Sequence, residues 1–406
     1  MSLSLPHHDS NQPSTIVKTA SDDRQSLHWS TPARLMAGLL SLLFRSASEV
    51  TRIAGEIHGI VHQSPAIITQ NVNPDLTVAP KLYQLIHRAF VQAANHVQKA
   101  NVFLPTQETI NQDLRRLQSV MNGVFGDKLA DWGHSGAITM ECLDENHQPI
   151  ALHDLQARHP KGVALFVHGL CLSEYDWCGY QAQLFAKQLQ EQGIGIARLR
   201  YNTGLTLSEN GECLSQLLAH QWHLNAAQSL IMIGHSMGGL VIRSALHHGR
   251  DIHRQDWVVN VSHAVYVASP HEGANLEKLG NFANNLLGYS PYTKPLMSLG
   301  NIRSRGIRSL RDSNIRHELA ERNDQALFHD QVHHLLIGAR LPDPRAKAVL
   351  GDGLVTDHSA MGSSHFPEEH HKVTRLILDE VGHMKVINDP RLYQSLATWL
   401  ERTPAH

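Results

Sequence analysis

A chain of 406 residues, 42% of them hydrophobic and 18% charged, has the make-up of an ordinary globular protein with one large domain and an accessory region. Its formal charge of −2 argues against nucleic acid as a partner, because that role needs a basic face. The 30 histidines are scattered, without H-E-x-x-H or Cys-rich zinc spacing, so most of them read as surface residues and neither metal nor cofactor is expected.

Residues 1–31 are polar, have little to bury and read as a flexible tail. From Pro32, Leu35, Leu39, Leu40, Leu43, Val50, Ile53, Ile57 and Ile60 recur at three- and four-residue steps, which predicts a long amphipathic helix. Its first part, from Leu35 to Phe44, is apolar nearly all round. Peripheral contact with a membrane through the helix at 33–62 is one reading, and burial against a neighbouring helix is the favoured one. Two more helical patterns follow, at Leu82–Val97 and Ile110–Val124, separated by prolines. Residues 32–134 therefore read as a helical N-terminal region without chemistry of its own.

From Ala137 the period changes. Ala137–Leu143 and Ile150–Leu152 flank a turn at Asp144-Glu145-Asn146 and predict a hairpin. Gly162–Val167 is a continuous apolar run of the kind that fills a buried parallel strand. Helical patterns then alternate with strand-length runs at 195–201, 229–233, 265–268, 335–338 and 375–378. Such alternation implies a mostly parallel sheet flanked by helices, over residues 135–406. The interruption at about 275–330 is too long for a plain connection and reads as a cap or lid insertion.

Chemistry is concentrated in one stretch. Ser229–Ile233 leads into Gly234-His235-Ser236-Met237-Gly238-Gly239, and a helical pattern follows at once. A strand turning sharply into a helix around a serine is a nucleophile elbow, with Ser236 as the nucleophile. Oxyanion donors would be the amide of Met237 and one from Val167-His168-Gly169-Leu170, with Leu170 as the candidate. His383, in a Gly-His pair after the last strand, is the candidate base. The acid should lie between the two in sequence. Asp352, between two glycines, is preferred over Asp357 and Asp379.

Five segments carry a resemblance to the α/β-hydrolase superfamily, in its lipase and esterase branch. They are Val167–Leu170, Gly234–Gly239, Ser269-Pro270-His271-Glu272-Gly273-Ala274, Asp352–Val355 and Gly382-His383. Asn122–Asp127, Arg200–Gly204 and Ile302–Ile307 look like a narrower bacterial group with a helical N-terminal extension, related to GPI-inositol-deacylase-like lipases. The resemblance maps Ser236, Asp352 and His383 onto a triad, and Leu170 and Met237 onto an oxyanion hole. It implies hydrolysis of a small-molecule or lipid ester through an acyl-serine. Acyl transfer by the same triad is one alternative, and a non-catalytic scaffold is another.

Secreted relatives with the Asp-Gly-Leu-Val loop carry a calcium ligand two residues after the catalytic histidine. Here Lys385 stands there, so no calcium site is expected. Cys142, Cys171, Cys178 and Cys213 are too few for a disulfide framework. Reduced thiols, no secretory signal and no apolar run of ~20 residues lead to the expectation of a cytoplasmic protein, with membrane association left open.

Overall fold

The computed structural model describes residues 32–63, 78–101, 112–288, 304–313, 315–316, 328–342 and 351–404. The predicted tail at 1–31 and parts of the predicted cap insertion lie outside them. Three helices come first: α1 (Pro32–Gln63), α2 (Val78–Asn101) and α3 (Gln112–Asp131). Pro80, read as part of a separator, instead sits in the first turn of α2, where its missing N–H has no helical partner to lose. No helix among the described residues is long and apolar enough to cross a membrane.

Seven strands follow in one sheet. β1 (Glu141–Leu143), β2 (Gly162–Val167), β3 (Ile194–Arg200), β4 (Ser229–His235), β5 (Val261–Val267), β6 (His333–Arg340) and β7 (Val373–Asp379) lie in the order β1-β3-β2-β4-β5-β6-β7. Every pairing is parallel except β1 with β3 at the edge. Helices α5 (Tyr180–Glu191), α6 (Leu207–Gln221), α7 (Met237–His247), α8 (Leu276–Gly288), α9 (Arg305–Asp312), α10 (Asp357–Met361) and α11 (Pro390–Arg402) lie between or after the later strands. This is the α/β-hydrolase arrangement, with a helical region at its N-terminal side.

Strand alternation sorts the core into two layers. Val163, Leu165 and Val167 of β2 and Leu230 and Met232 of β4 face α3, α6 and α7. Ala164, Phe166, Ile231 and Ile233 face α5 and α11 on the other side. Each buried Leu, Val or Ile contributes roughly 1.5–3 kcal/mol, so the central strands are fixed from both faces.

The predicted hairpin forms only next to its turn, where Asp144 N donates to Gln148 O and Ile150 N to Cys142 O. β1 has three residues, the return arm reduces to a single bridge from Leu143 to Pro149, and a helix, α4, takes over at Leu152–Arg158. Proline cannot donate to a ladder, and Leu152, Leu155 and Gln156 are buried at helical spacing.

Candidate active site

Four loops converge above the carboxyl ends of the strands, where the connections reverse direction between β2 and β4. Open α/β sheets bind ligands at such a switch point. β4 ends at His235 and α7 begins at Met237, leaving Ser236 alone to make the corner. Its φ of 54° and ψ of −122° are strained for an L-residue and persist only if the surroundings over-determine them. They do. Ser236 N donates to Val267 O at 2.8 Å, and a Cβ on Gly238 would overlap Val167 O and come within 2.6 Å of His168 O. Ser236 stands at the head of α7, 7% exposed.

Asp352 lies in the connection from β6 to α10. Its Oδ1 accepts the amides of Leu354 (2.9 Å) and Val355 (2.7 Å), which orients the carboxylate. Oδ2 then accepts from His383 Nδ1 at 2.7 Å, so the proton of the neutral ring sits on Nδ1. His383 Nε2, left as the acceptor, is 2.9 Å from Ser236 Oγ. The main chain repeats the tie, with His383 N donating to Asp352 O at 3.1 Å. Three side chains from three strand ends thus form one buried hydrogen-bonded line. The rival acids are engaged elsewhere, since Asp357 and Asp379 both pair with Arg340.

The loop after β2 passes directly beside the serine. A Cβ on Gly169 would sit 3.1 Å from Ser236 Cβ. The amides of Leu170 and Met237 have no hydrogen-bond partner among the described residues. His168 closes this loop from below: its carbonyl accepts Tyr201 OH at 2.7 Å and its ring stacks on Tyr201 at 4.5 Å. Burial lowers the His168 pKa and keeps the ring neutral.

Sequence reasoning passed over His235. Its buried Nε2 donates to His383 O at 3.0 Å, so the residue beside Ser236 holds the main chain of His383. Burial, with His383 nearby, pushes its pKa down to about 3. Its position inside G-x-S-x-G was the available signal, but the direction of the side chain was not legible there. The apolar Leu170, Leu172 and Leu287 are all buried, while Leu296 lies outside the described residues. Two clefts, of about 500 Å³ by Lys161, Ser229 and His263 and about 330 Å³ by Thr374 and Trp399, lie away from Ser236. The first opens at the amino ends of the strands.

Comparison with known proteins agrees with the resemblance carried by the motifs. Residues 197–334, a third of the chain, match the family model of the PGAP1-like alpha/beta domain. No curated protein matches the sequence. Among solved structures, a lipase of Bacillus licheniformis in mature form is similar at 17% identity and a TM-score of 0.40, covering 65% of this chain and 98% of its own. The carboxylesterase CesB of Bacillus subtilis is 12% identical, with a TM-score of 0.37 over 71% of this chain and 97% of its own. A monoacylglycerol lipase of Paleococcus ferrophilus is 12% identical, with a TM-score of 0.39 over 66% and 99%. Likeness at this level carries no argument about what this chain does.

Proposed function

We propose that the protein is a serine hydrolase of carboxylic esters that works through an acyl-serine intermediate. The observation that supports this reading is the hydrogen-bonded line from Ser236 Oγ through His383 to Asp352. Ser236 Oγ attacks the ester carbonyl as His383 Nε2 takes its proton, and Asp352 stabilises the imidazolium. The amides of Leu170 and Met237 receive the negative oxygen of the tetrahedral intermediate. His383 then protonates the departing alcohol, and water, activated by the same imidazole, releases the acid.

Around this centre we read residues 135–406 as the catalytic domain, 275–330 as its cap and 32–134 as the helical extension. Apolar Leu40, Leu43 and Val50 are exposed on one side of α1, which supports contact of that helix with a lipid surface. Co-sedimentation with liposomes, with and without residues 1–62, tests that contact. An unchanged bound fraction after truncation would remove it.

The central test is a panel of acyl esters of increasing chain length, assayed with wild type and Ser236→Ala, beside labelling by a fluorophosphonate. Wild type should turn over esters and take the label at position 236. Ser236→Ala should lose about 10⁴-fold or more in kcat and all labelling. Turnover that survives the substitution would sink the acyl-serine reading.

A further inference from the structure

Three sequence segments that the triad leaves unused meet at one point behind the active-site loop. Asn202 Nδ2 donates to Gly126 O at 2.9 Å, and Asn202 Oδ1 accepts from Gly204 N at 2.9 Å. Ser304 Oγ donates to Gly123 O at 2.6 Å, Arg305 N to Asp127 Oδ2 at 3.0 Å, and Gly306 N to Gly204 O at 2.8 Å. Arg305 also pairs with Asp131 and Glu209, which ties its side chain to the junction as well. α3, the loop after β3 and the head of α9 are thereby locked together.

The loop that carries Leu170 leans on this junction. Cys171 is left-handed, with φ of 61°, and its amide donates to Thr203 Oγ1 at 3.1 Å. Its far side rests on α3. A Cβ on Gly123 would overlap Cys171 Sγ and come within 3.0 Å of Cys171 Cα and 3.1 Å of its Cβ. Two residues before Thr203, the Tyr201 hydroxyl fixes the other end of the same loop at His168 O. Cys171 itself is buried, which pushes its thiol up to about 12, so it is a packing element and not a nucleophile.

We propose that Gly123 and Thr203 are positioning residues that set the Leu170 amide for the oxyanion, acting through the left-handed backbone of Cys171. The proposal rests on the acyl-serine reading above. An oxyanion donor works only within about 2.7–3.1 Å of where the charge will develop. A shift of about 1 Å in a group that positions the reaction can cost about 100-fold. A methyl group at position 123 must displace Cys171 Sγ and presses on Cys171 Cα at 3.0 Å, and Leu170 is bonded to that residue.

The test uses the full-length chain and a p-nitrophenyl ester. Gly123→Ala should lower kcat about 10- to 100-fold with KM within about threefold. Affinity for a trifluoromethyl ketone, whose hemiketal oxygen occupies the oxyanion position, should fall in step with kcat/KM. Gly123→Ala/Cys171→Gly removes the crowded Sγ and Cβ and tolerates the left-handed φ, so most of the lost kcat should return. Thr203→Val should lower kcat and ketone affinity together, while Thr203→Ser, which keeps the oxygen, stays near wild type.

A folded Gly123→Ala chain with wild-type kcat overturns the proposal, and so does a loss that Cys171→Gly does not repair. Should Gly123→Ala not fold, equal kcat for Thr203→Val and Thr203→Ser would overturn it. Wild type that neither hydrolyses esters nor labels at Ser236 fails differently: the hydrolase reading goes first and takes this proposal with it.

Discussion

α3 and the α1–α2 hairpin are neighbours in the chain and share the same helical periodicity, yet they are held to the sheet by different means. α3 enters the body through buried polar groups. Asn122 bridges Gly136 O and Ile138 N, Arg115 approaches Glu174, and Asp127 takes the amide of Arg305. α1 and α2 pack chiefly on each other, tied by Ser41 Oγ to Ala94 O and by His87 Nδ1 to Ser48 O. Leu39 and Leu42 of α1 join the main core, but Leu40, Leu43, Val50, Leu85 and Ile86 stay exposed. Shared periodicity therefore does not mean shared attachment. Polar pairing across a buried contact marks α3 as part of the body.

Truncation gives the largest expected contrast. Removal of residues 1–131 takes away α3 and should abolish soluble folded protein. Removal of residues 1–101 should keep ester turnover within about threefold while costing a few kcal/mol from Leu39 and Leu42. Equal outcomes for the two truncations, read by circular dichroism and kcat, would break the distinction.

Acid comes next, because it acts on histidines buried in the body. Burial drives His235 and His334 down to about 3, so both stay neutral when folded and protonate in the unfolded chain. Stability should be full above about pH 6.5 and drain as pH falls toward about 3, by up to about 1.4 kcal/mol per pH unit for each. Denaturant midpoints between pH 7.5 and 4.5 would measure this, and a flat profile would contradict it.

Single substitutions sharpen the contrast further. Asn122→Ala leaves Ile138 N unpaired and Gly136 O with Gln118 Nε2 alone, and should cost about 1–3 kcal/mol in urea unfolding. Leu85→Gln, on the exposed face of α2, should change the midpoint by less than about 0.5 kcal/mol. Reversal of that order would mean that the hairpin, not α3, carries the attachment.

The sheet was legible because its central strands are unbroken apolar runs bounded by glycine and polar turns. The order of the site residues was legible too: Ser236, Asp352 and His383 each follow a strand, and sheet geometry gathers strand ends. What failed was local. Ile150-Ala151-Leu152 has strand-like residues, but burial of Leu152 and Leu155 on one helical face ended the hairpin's return arm after Ile150. α6 starts at Leu207, where Thr206 and Glu209 form a capping box. His235 and Thr203 were beyond reach for another reason. Their partners, His383 O and Cys171 N, are main-chain groups distant in sequence, and no residue pattern announces them.

The backbone of His383 is moored at both of its polar groups, the amide to Asp352 O and the carbonyl to His235 Nε2. On the proposed acyl-serine reading, an imidazole that serves first the serine oxygen and then the leaving oxygen does so by rocking about its side-chain torsions, with its main chain held still. Slow dynamics measured on the apo protein should accordingly leave the segment around Gly382 quiet.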